Sequence, residues 1–262
     1  MSGKIGFIPT MGGLHLGHLS LVKKSIQECN HTVVSLFVNN KQFSPDEDFK
    51  KYPRDVERDS AALKALSVDV LFLPDGDEIY PKGFSTYVEE TRLALGLEGV
   101  SRPHFFKGVL TVVLKLFNIV QPDVVYFGKK DIQQLKLVQK MVQDLNLQIK
   151  VVPVSTVREE GGLAMSSRNK YLSQEDLSAL GIIYSSLEGA QKSVQRGERK
   201  SSAIQRGIEN ALLGVSGIRI DYIEVSDYKT LKKIKTIDRD VIISLAVVLK
   251  GVRLIDNIEI KI

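Results

Sequence analysis

The chain has 262 residues, 43% of them hydrophobic and 26% charged, enough apolar material for one large domain or two smaller ones. A net charge of +5 suits anionic ligands, yet the lysines are scattered (Lys23, Lys24, Lys50, Lys51, Lys232, Lys233) and tryptophan is absent, so no basic, aromatic-bearing run argues for nucleic acid. A single cysteine, Cys29, excludes an internal disulfide. With no bilayer-length apolar run, no signal sequence at the polar start MSGK, and neither CxxC nor HExxH, the expectation is a cytoplasmic chain without membrane contact or a dedicated zinc site.

The first element is a strand through Ile5, Phe7 and Ile8, with Pro9 expected to end its ladder. Gly12 and Gly13 then let the main chain turn closely, so that a ligand can approach it. From Gly17 the pattern becomes helical, with Leu16, Leu19, Val22 and Ile26 spaced by three and four. His15 and His18 fall at the helix start, on neighbouring positions of one face. Unpaired N–H groups, the positive dipole end and imidazole donors together suit phosphate. A structural histidine pair is the plainer alternative.

Thr32 to Val38 is a β-branched, buried strand, and the βαβ connection should open the following polar segment on the same sheet edge as the histidines. Asn39 and Gln42 are therefore candidates to face one cleft. A helix over Arg54–Ser67, with Val56, Ala62, Leu63 and Leu66 apolar, and a strand over Val68–Leu73 follow. Residues 74–84 read as a broken loop, and Ser85–Glu89 as a short further strand. A mostly apolar helix covers 103–120, including Ile119. Asp123–Phe127 is a strand ending at Gly128, followed at once by Lys129, Lys130, Asp131 and an amphipathic helix to Leu145. That turn repeats the phosphate-suited logic of the first, with a solvated lysine pair as the alternative. Gln148–Val154 is one more strand, and the alternation argues for a parallel α/β sheet.

Near residue 156 the character changes. The segment TVREEGGLAMSSRNKYLS places Gly161 and Gly162 for mobility, and Ser166, Ser167 and Arg168 as donors to phosphate oxygens; such a loop can close over a nucleotide. An N-capping serine cluster is the alternative reading. Helices over Gln174–Gln195 and Ser201–Leu213 precede strands over Ile218–Val225, Val241–Leu249 and Val252–Ile260, the last two joined by a tight turn at Lys250–Gly251.

The ordered motifs IPTMGGLHLGH, LFVNNKQF, KKYPR, VVYFGKKDIQQL, LAMSSRNKYLS, IDYIEVSD and VRLIDNI resemble those of the pantoate–β-alanine ligases, the pantothenate synthetase family, over nearly the whole chain. HxGH alone belongs to a wider superfamily of adenylate-forming synthetases and nucleotidylyltransferases. With this resemblance the expected fold is α/β: a Rossmann-like parallel sheet domain over 1–156, binding nucleotide and pantoate, then a smaller α+β domain over 157–262 with an antiparallel sheet.

The resemblance implies ATP-dependent joining of pantoate to β-alanine through a pantoyl adenylate, with ATP as substrate, Mg²⁺ on its phosphates, and a homodimer. Metal ligands are unassigned. It implies that His18, His15, Lys130 and Arg168 serve the chemistry, with His18 at the proton-donor position. ATP is implied to contact Met11, Gly12, Gly13, Leu14, His15, Leu16, Gly17 and His18, then Gly128, Lys129, Lys130 and Asp131, and finally Val157, Met165, Ser166, Ser167 and Arg168. Gln42, Gln134 and Met11 are implied to bind pantoate, with Asn39 a further substrate-binding candidate from its place on the same sheet edge, and Asp131 is implied to accept from ribose hydroxyls.

Three departures from the family pattern stand out. The chain begins almost at IPTMG, which could leave a sheet edge exposed. RPHFFKGV stands where a glycine–histidine pair is common. Asn40 and Lys41 replace a proline and an apolar residue beside Gln42. Rival readings are a nucleotidylyltransferase, an aminoacyl-tRNA synthetase fragment, or an RNA-binding protein with a clustered basic face.

Overall fold

The structure, a computed structural model, describes residues 2–44 and 47–262, and divides into two compact units, Met1–Thr156 and Val157–Ile262. In the first, strands and helices alternate: β1 (Ile5–Thr10), α1 (Leu16–Glu28), β2 (His31–Leu36), α2 (Val56–Ala65), β3 (Val70–Phe72), the single-turn helices α3 (Gly76–Ile79) and α4 (Glu98–Ser101), α5 (Phe105–Val120), β4 (Val124–Gly128), α6 (Ile132–Asp144) and β5 (Lys150–Val154). All strand pairs are parallel, in the order β3-β2-β1-β4-β5. Such a sheet is apolar on both faces because crossover helices cover both. Ile8, Val22 and Val34, each 0% exposed, fill one side with Tyr126. On the other, Phe7 packs edge-on against Phe117 at 6.5 Å between ring centres.

β1 is the central strand, paired on both sides, so the edges of the sheet are β3 and β5 and the expected exposure of an edge beside β1 is not found. Nor does Pro9 end the strand, which runs to Thr10 alongside β2. The reason is direction. The Ile5 carbonyl faces β4, accepting from Asp123 N–H, and the Thr10 carbonyl faces β2, accepting from Phe37 N–H. By alternation Pro9 faces β4, where pairing has stopped at Phe7↔Val125, so its missing N–H leaves no gap in the ladder.

Other readings need correction. Ser85–Glu89 forms no strand; the Val88 N–H is taken by the Thr111 hydroxyl at 2.9 Å instead of a ladder partner. Residues 74–84 contain α3, closed by an Asp75–Glu78 capping box. Leu16, Ile26 and Ile119, read into apolar faces, are 58%, 40% and 52% exposed; α1 buries Leu21, Val22 and Ser25.

Within the first unit α5 lies hard against the turn after β2. A Cβ added at Gly108 would stand 2.2 Å from the Lys41 carbonyl oxygen and 2.8 Å from Gln42 Cα. Both are main-chain atoms and cannot swing away. Gly108→Ala should therefore cost about 2 kcal/mol and lower the melting temperature by roughly 4–8 °C. An unchanged thermal midpoint would refute this close approach.

The second unit packs α7 (Gln174–Ala179), α8 (Ile182–Gln195) and α9 (Ser201–Leu212) with an antiparallel sheet of β6 (Arg219–Asp227), β7 (Val241–Leu249) and β8 (Val252–Ile260), in the order β6-β7-β8. Leu180, Leu187, Ile208 and Leu212 share one core with Val241, Ile243, Leu245 and Val247. Lys250 and Gly251 both have positive φ, 49° and 80°, as a two-residue hairpin requires. The single helix expected over 174–195 is two. Gly181 lies so close to the Gly161 carbonyl that a Cβ would stand 2.3 Å from its oxygen, and the chain bends there. No helix among the described residues is long and apolar enough to cross a membrane.

Candidate active site

Strand order reverses between β1 and β4, which places the loops after both on one edge of the sheet, where open α/β sheets form a ligand crevice. After β1, Thr10 Oγ1 donates to the Ser35 carbonyl (2.8 Å) and accepts from Gly12 N–H (3.2 Å). Gly12 and Gly13 follow with φ of +82° and +63°, a left-handed pair that explains why glycine stands at both. The next N–H groups, of Gly13 and Leu14, do not face open space. They donate to the two carboxylate oxygens of Asp59 on α2, at 2.6 and 2.9 Å.

His15 caps α1, its Nδ1 accepting from Gly17 N–H at 3.1 Å. An accepting Nδ1 leaves the proton of the neutral ring on Nε2, which becomes the ring's donor. The His18 ring lies 4.1 Å from that of His15, centre to centre. Its Nδ1 is buried and has no hydrogen-bond partner. Burial, and secondarily the Lys130 ammonium, hold the His18 imidazole down at about pKa 4. The charge of Lys130, from the loop after β4, thus acts on His18, near the start of α1. Gly128, Lys129, Lys130 and Asp131 make the turn into α6, with Lys130 Nζ 3.8 Å from the Asp131 carboxylate.

Asn39 and Gln42 also meet here. Asn39, 1% exposed, donates from Nδ2 to Gln42 Oε1 (3.0 Å) and to the Gly108 carbonyl (3.1 Å). Its Oδ1 accepts from Tyr80 Oη (2.8 Å) and Lys41 N–H (3.2 Å). Burial pushes the Tyr80 phenol above its usual range, so that hydroxyl stays a donor. With Oε1 engaged, Gln42 turns its NH₂ toward Met11 Sδ, 3.1 Å away. Gln134 is half-buried in the first turn of α6.

In the second unit the segment carrying Val157, Met165, Ser166, Ser167 and Arg168 is a small hairpin. Arg158 bridges Ala164, Glu159 N–H donates to the Leu163 carbonyl (2.8 Å), and Met165 N–H to that of Val157 (3.0 Å). Arg158 grips Asp256 of β8 with both terminal nitrogens, at 2.6 and 3.1 Å. Gly162 has φ +89°, so it serves the turn itself. Ser166 Oγ accepts from Arg168 N–H at 3.3 Å and caps a short 3-10 turn, Ser167–Tyr171, while Ser173 caps α7. The capping alternative for these serines therefore holds in part.

A family model described as pantoate–β-alanine ligase matches residues 1–259. The chain belongs to this family. A pantothenate synthetase of Thermosipho africanus is 50% identical over 256 residues, 98% of this chain and 92% of that one. The crystal structure of the pantothenate synthetase from Thermus thermophilus superposes with a TM-score of 0.95 at 44% identity, covering 99% of this chain and 94% of that one. A pantoate–β-alanine ligase from Francisella tularensis, solved with β-γ ATP and β-alanine, matches at 37% identity and a TM-score of 0.79, covering 98% and 89%. The chain is thus an ATP-dependent ligase with the family reaction, the joining of pantoate and β-alanine.

Four residues of this pantoate–β-alanine ligase that shape the site were not singled out from the sequence. They are Asp59, Tyr80, Gln133 and Arg102. Gln133, 3% exposed, donates to the Leu93 and Gly96 carbonyls (both 2.8 Å) and accepts from Glu98 N–H (3.1 Å), tying that segment to α6. Arg102, in the divergent RPHFFKGV stretch, pairs with Glu47 and reaches the Gln42 carbonyl at 3.3 Å, while its guanidinium stacks 3.6 Å over Phe105. These residues act through contacts far apart in sequence, which no local pattern announces.

Proposed function

We propose that the ligation runs through a pantoyl adenylate made at the loops after β1 and β4. The pantoate carboxylate attacks the α-phosphorus of ATP and pyrophosphate leaves. The amine of β-alanine then attacks the acyl carbon and AMP leaves. A carboxylate is a poor acyl donor, whereas its mixed anhydride with AMP is a good one. Because charge grows on the pyrophosphate as the bond breaks, donors fixed in advance lower the barrier. The observation that carries this reading is the pair of imidazoles 4.1 Å apart with the Lys130 charge acting on His18, at the reversal of strand order.

In this reading His15, His18 and Lys130 face the phosphates, with further ATP contacts from Met11 to His18 and from Gly128 to Asp131. Ser166, Ser167 and Arg168, with Val157 and Met165, are assigned phosphate and nucleotide contacts on the strength of the family resemblance. Gln42 and Gln134, beside Met11, receive pantoate, and Asn39 acts on it through Gln42. No three His, Cys, Asp or Glu side chains among the described residues stand together as a metal cage, so Mg²⁺ is assigned to the phosphates of ATP itself. The assembly proposed is a homodimer, supported by the family resemblance and by exposed Leu95 and Val100, 69% and 70% accessible. The proposed compartment is the cytoplasm, in keeping with a free Cys29.

The test is isotope exchange between pyrophosphate and ATP with pantoate present and β-alanine omitted. An adenylate intermediate predicts pantoate-dependent exchange in that mixture. Exchange that demands β-alanine would instead mean a single concerted step.

A further inference from the structure

The glycine turn after β1 already holds a carboxyl group. Two successive left-handed residues present a concavity of main-chain N–H groups, the geometry that elsewhere binds phosphate. Here the Asp59 side chain occupies it. Asp59 is 2% exposed, and its Oδ2 and Oδ1 accept from the consecutive N–H groups of Gly13 and Leu14 at 2.6 and 2.9 Å. A Cβ at Gly12 would stand 3.2 Å from Oδ2, so the turn wraps the carboxylate closely. The residue after Leu14 is His15, whose ring caps α1 and lies tilted beside that of His18.

We propose that Asp59 is a positioning residue of the ligase: it clamps the glycine turn from α2 and so fixes the direction in which His15 and His18 face the triphosphate. This rests on the assignment of those imidazoles to ATP. It also changes what the turn can offer. The Gly13 and Leu14 N–H groups are engaged internally, so any contact those two residues make to ATP is not through these donors. Two bonds from one carboxylate hold the turn in a plane, which a single acceptor cannot do.

The experiment compares Asp59→Asn and Asp59→Glu with the wild-type chain, measuring pantoate-dependent exchange and recording the imidazole nitrogen signals of His15 and His18 by NMR. Asparagine offers one acceptor and opposes the second N–H with its own. We expect kcat to fall at least 30-fold with the KM for pantoate within twofold, and the Nε2–H tautomer signature of His15 to broaden or shift. Glutamate keeps the charge on an arm longer by one methylene and should recover part of the loss.

Wild-type kcat and an unmoved His15 signature in Asp59→Asn would overturn the proposal. If that variant does not fold, the same two measurements on Asp59→Glu decide: wild-type kcat and imidazole signals there would overturn it equally. His15→Ala and His18→Ala separate the two levels of inference. If they retain exchange, the phosphate reading of the site has failed; if they lose it while Asp59 variants do not, the clamp alone has failed.

Discussion

Replacing His18 by alanine should lower kcat for pantoate-dependent exchange by about 100- to 1000-fold, the usual cost of losing one fixed donor at a developing charge. Stability should respond differently. His18 has a buried Nδ1 without a partner and an imidazole held near pKa 4 by burial and by Lys130. At neutral pH the folded chain carries it uncharged and the unfolded chain mostly so, and it contributes little pH dependence. As pH falls below about 6.5 the unfolded chain takes up this proton first, and the folded state loses up to about 3 kcal/mol before pH 4 is reached. Melting curves between pH 7 and pH 4 should therefore be flatter for His18→Ala than for the wild type. Parallel curves would show that the imidazole is not desolvated, and unaltered exchange would remove it from the chemistry.

Gln42→Glu is expected to raise the KM for pantoate by about 100-fold while leaving that for ATP within twofold. The two side chains have the same shape, so the effect isolates polarity. Asn39 Nδ2 already donates to Gln42 Oε1, which leaves the amide NH₂ as the end presented toward Met11 and the crevice. A substrate carrying a carboxylate and hydroxyls meets a donor there. Glutamate would oppose it with a second negative oxygen, and Asn39 cannot relieve this because its own Oδ1 is fixed by Tyr80 and Lys41. Steady-state titration of each substrate checks the split. Equal KM values for the variant and the wild type would remove Gln42 from the pantoate site.

Much of the architecture was legible because strands buried on both faces read as unbroken apolar runs. TVVSL and VVYF are of this kind, and both lie inside the parallel sheet. The histidine pair was legible too, since its spacing at a helix start follows from local chemistry. What escaped is what depends on contact through space. Val56 looked like part of an apolar face and is 50% exposed, whereas Asp59, one turn before Leu63 on the same helix, is buried. A carboxylate can sit there only because the glycine turn brings two N–H groups to it, and helix periodicity cannot see that turn. The break at Gly181 is similar: glycine is required by the Gly161 carbonyl twenty residues earlier.

Pro9 carries one more consequence. β1 and β4 are zipped together only at Gly6 and Phe7, and beyond that point the two strands part. Continuing the seam would call for an amide hydrogen from residue 9, and a pyrrolidine ring has none to give. The mouth between the strands is thus propped open by covalent structure, and no slip in pairing can sew it shut.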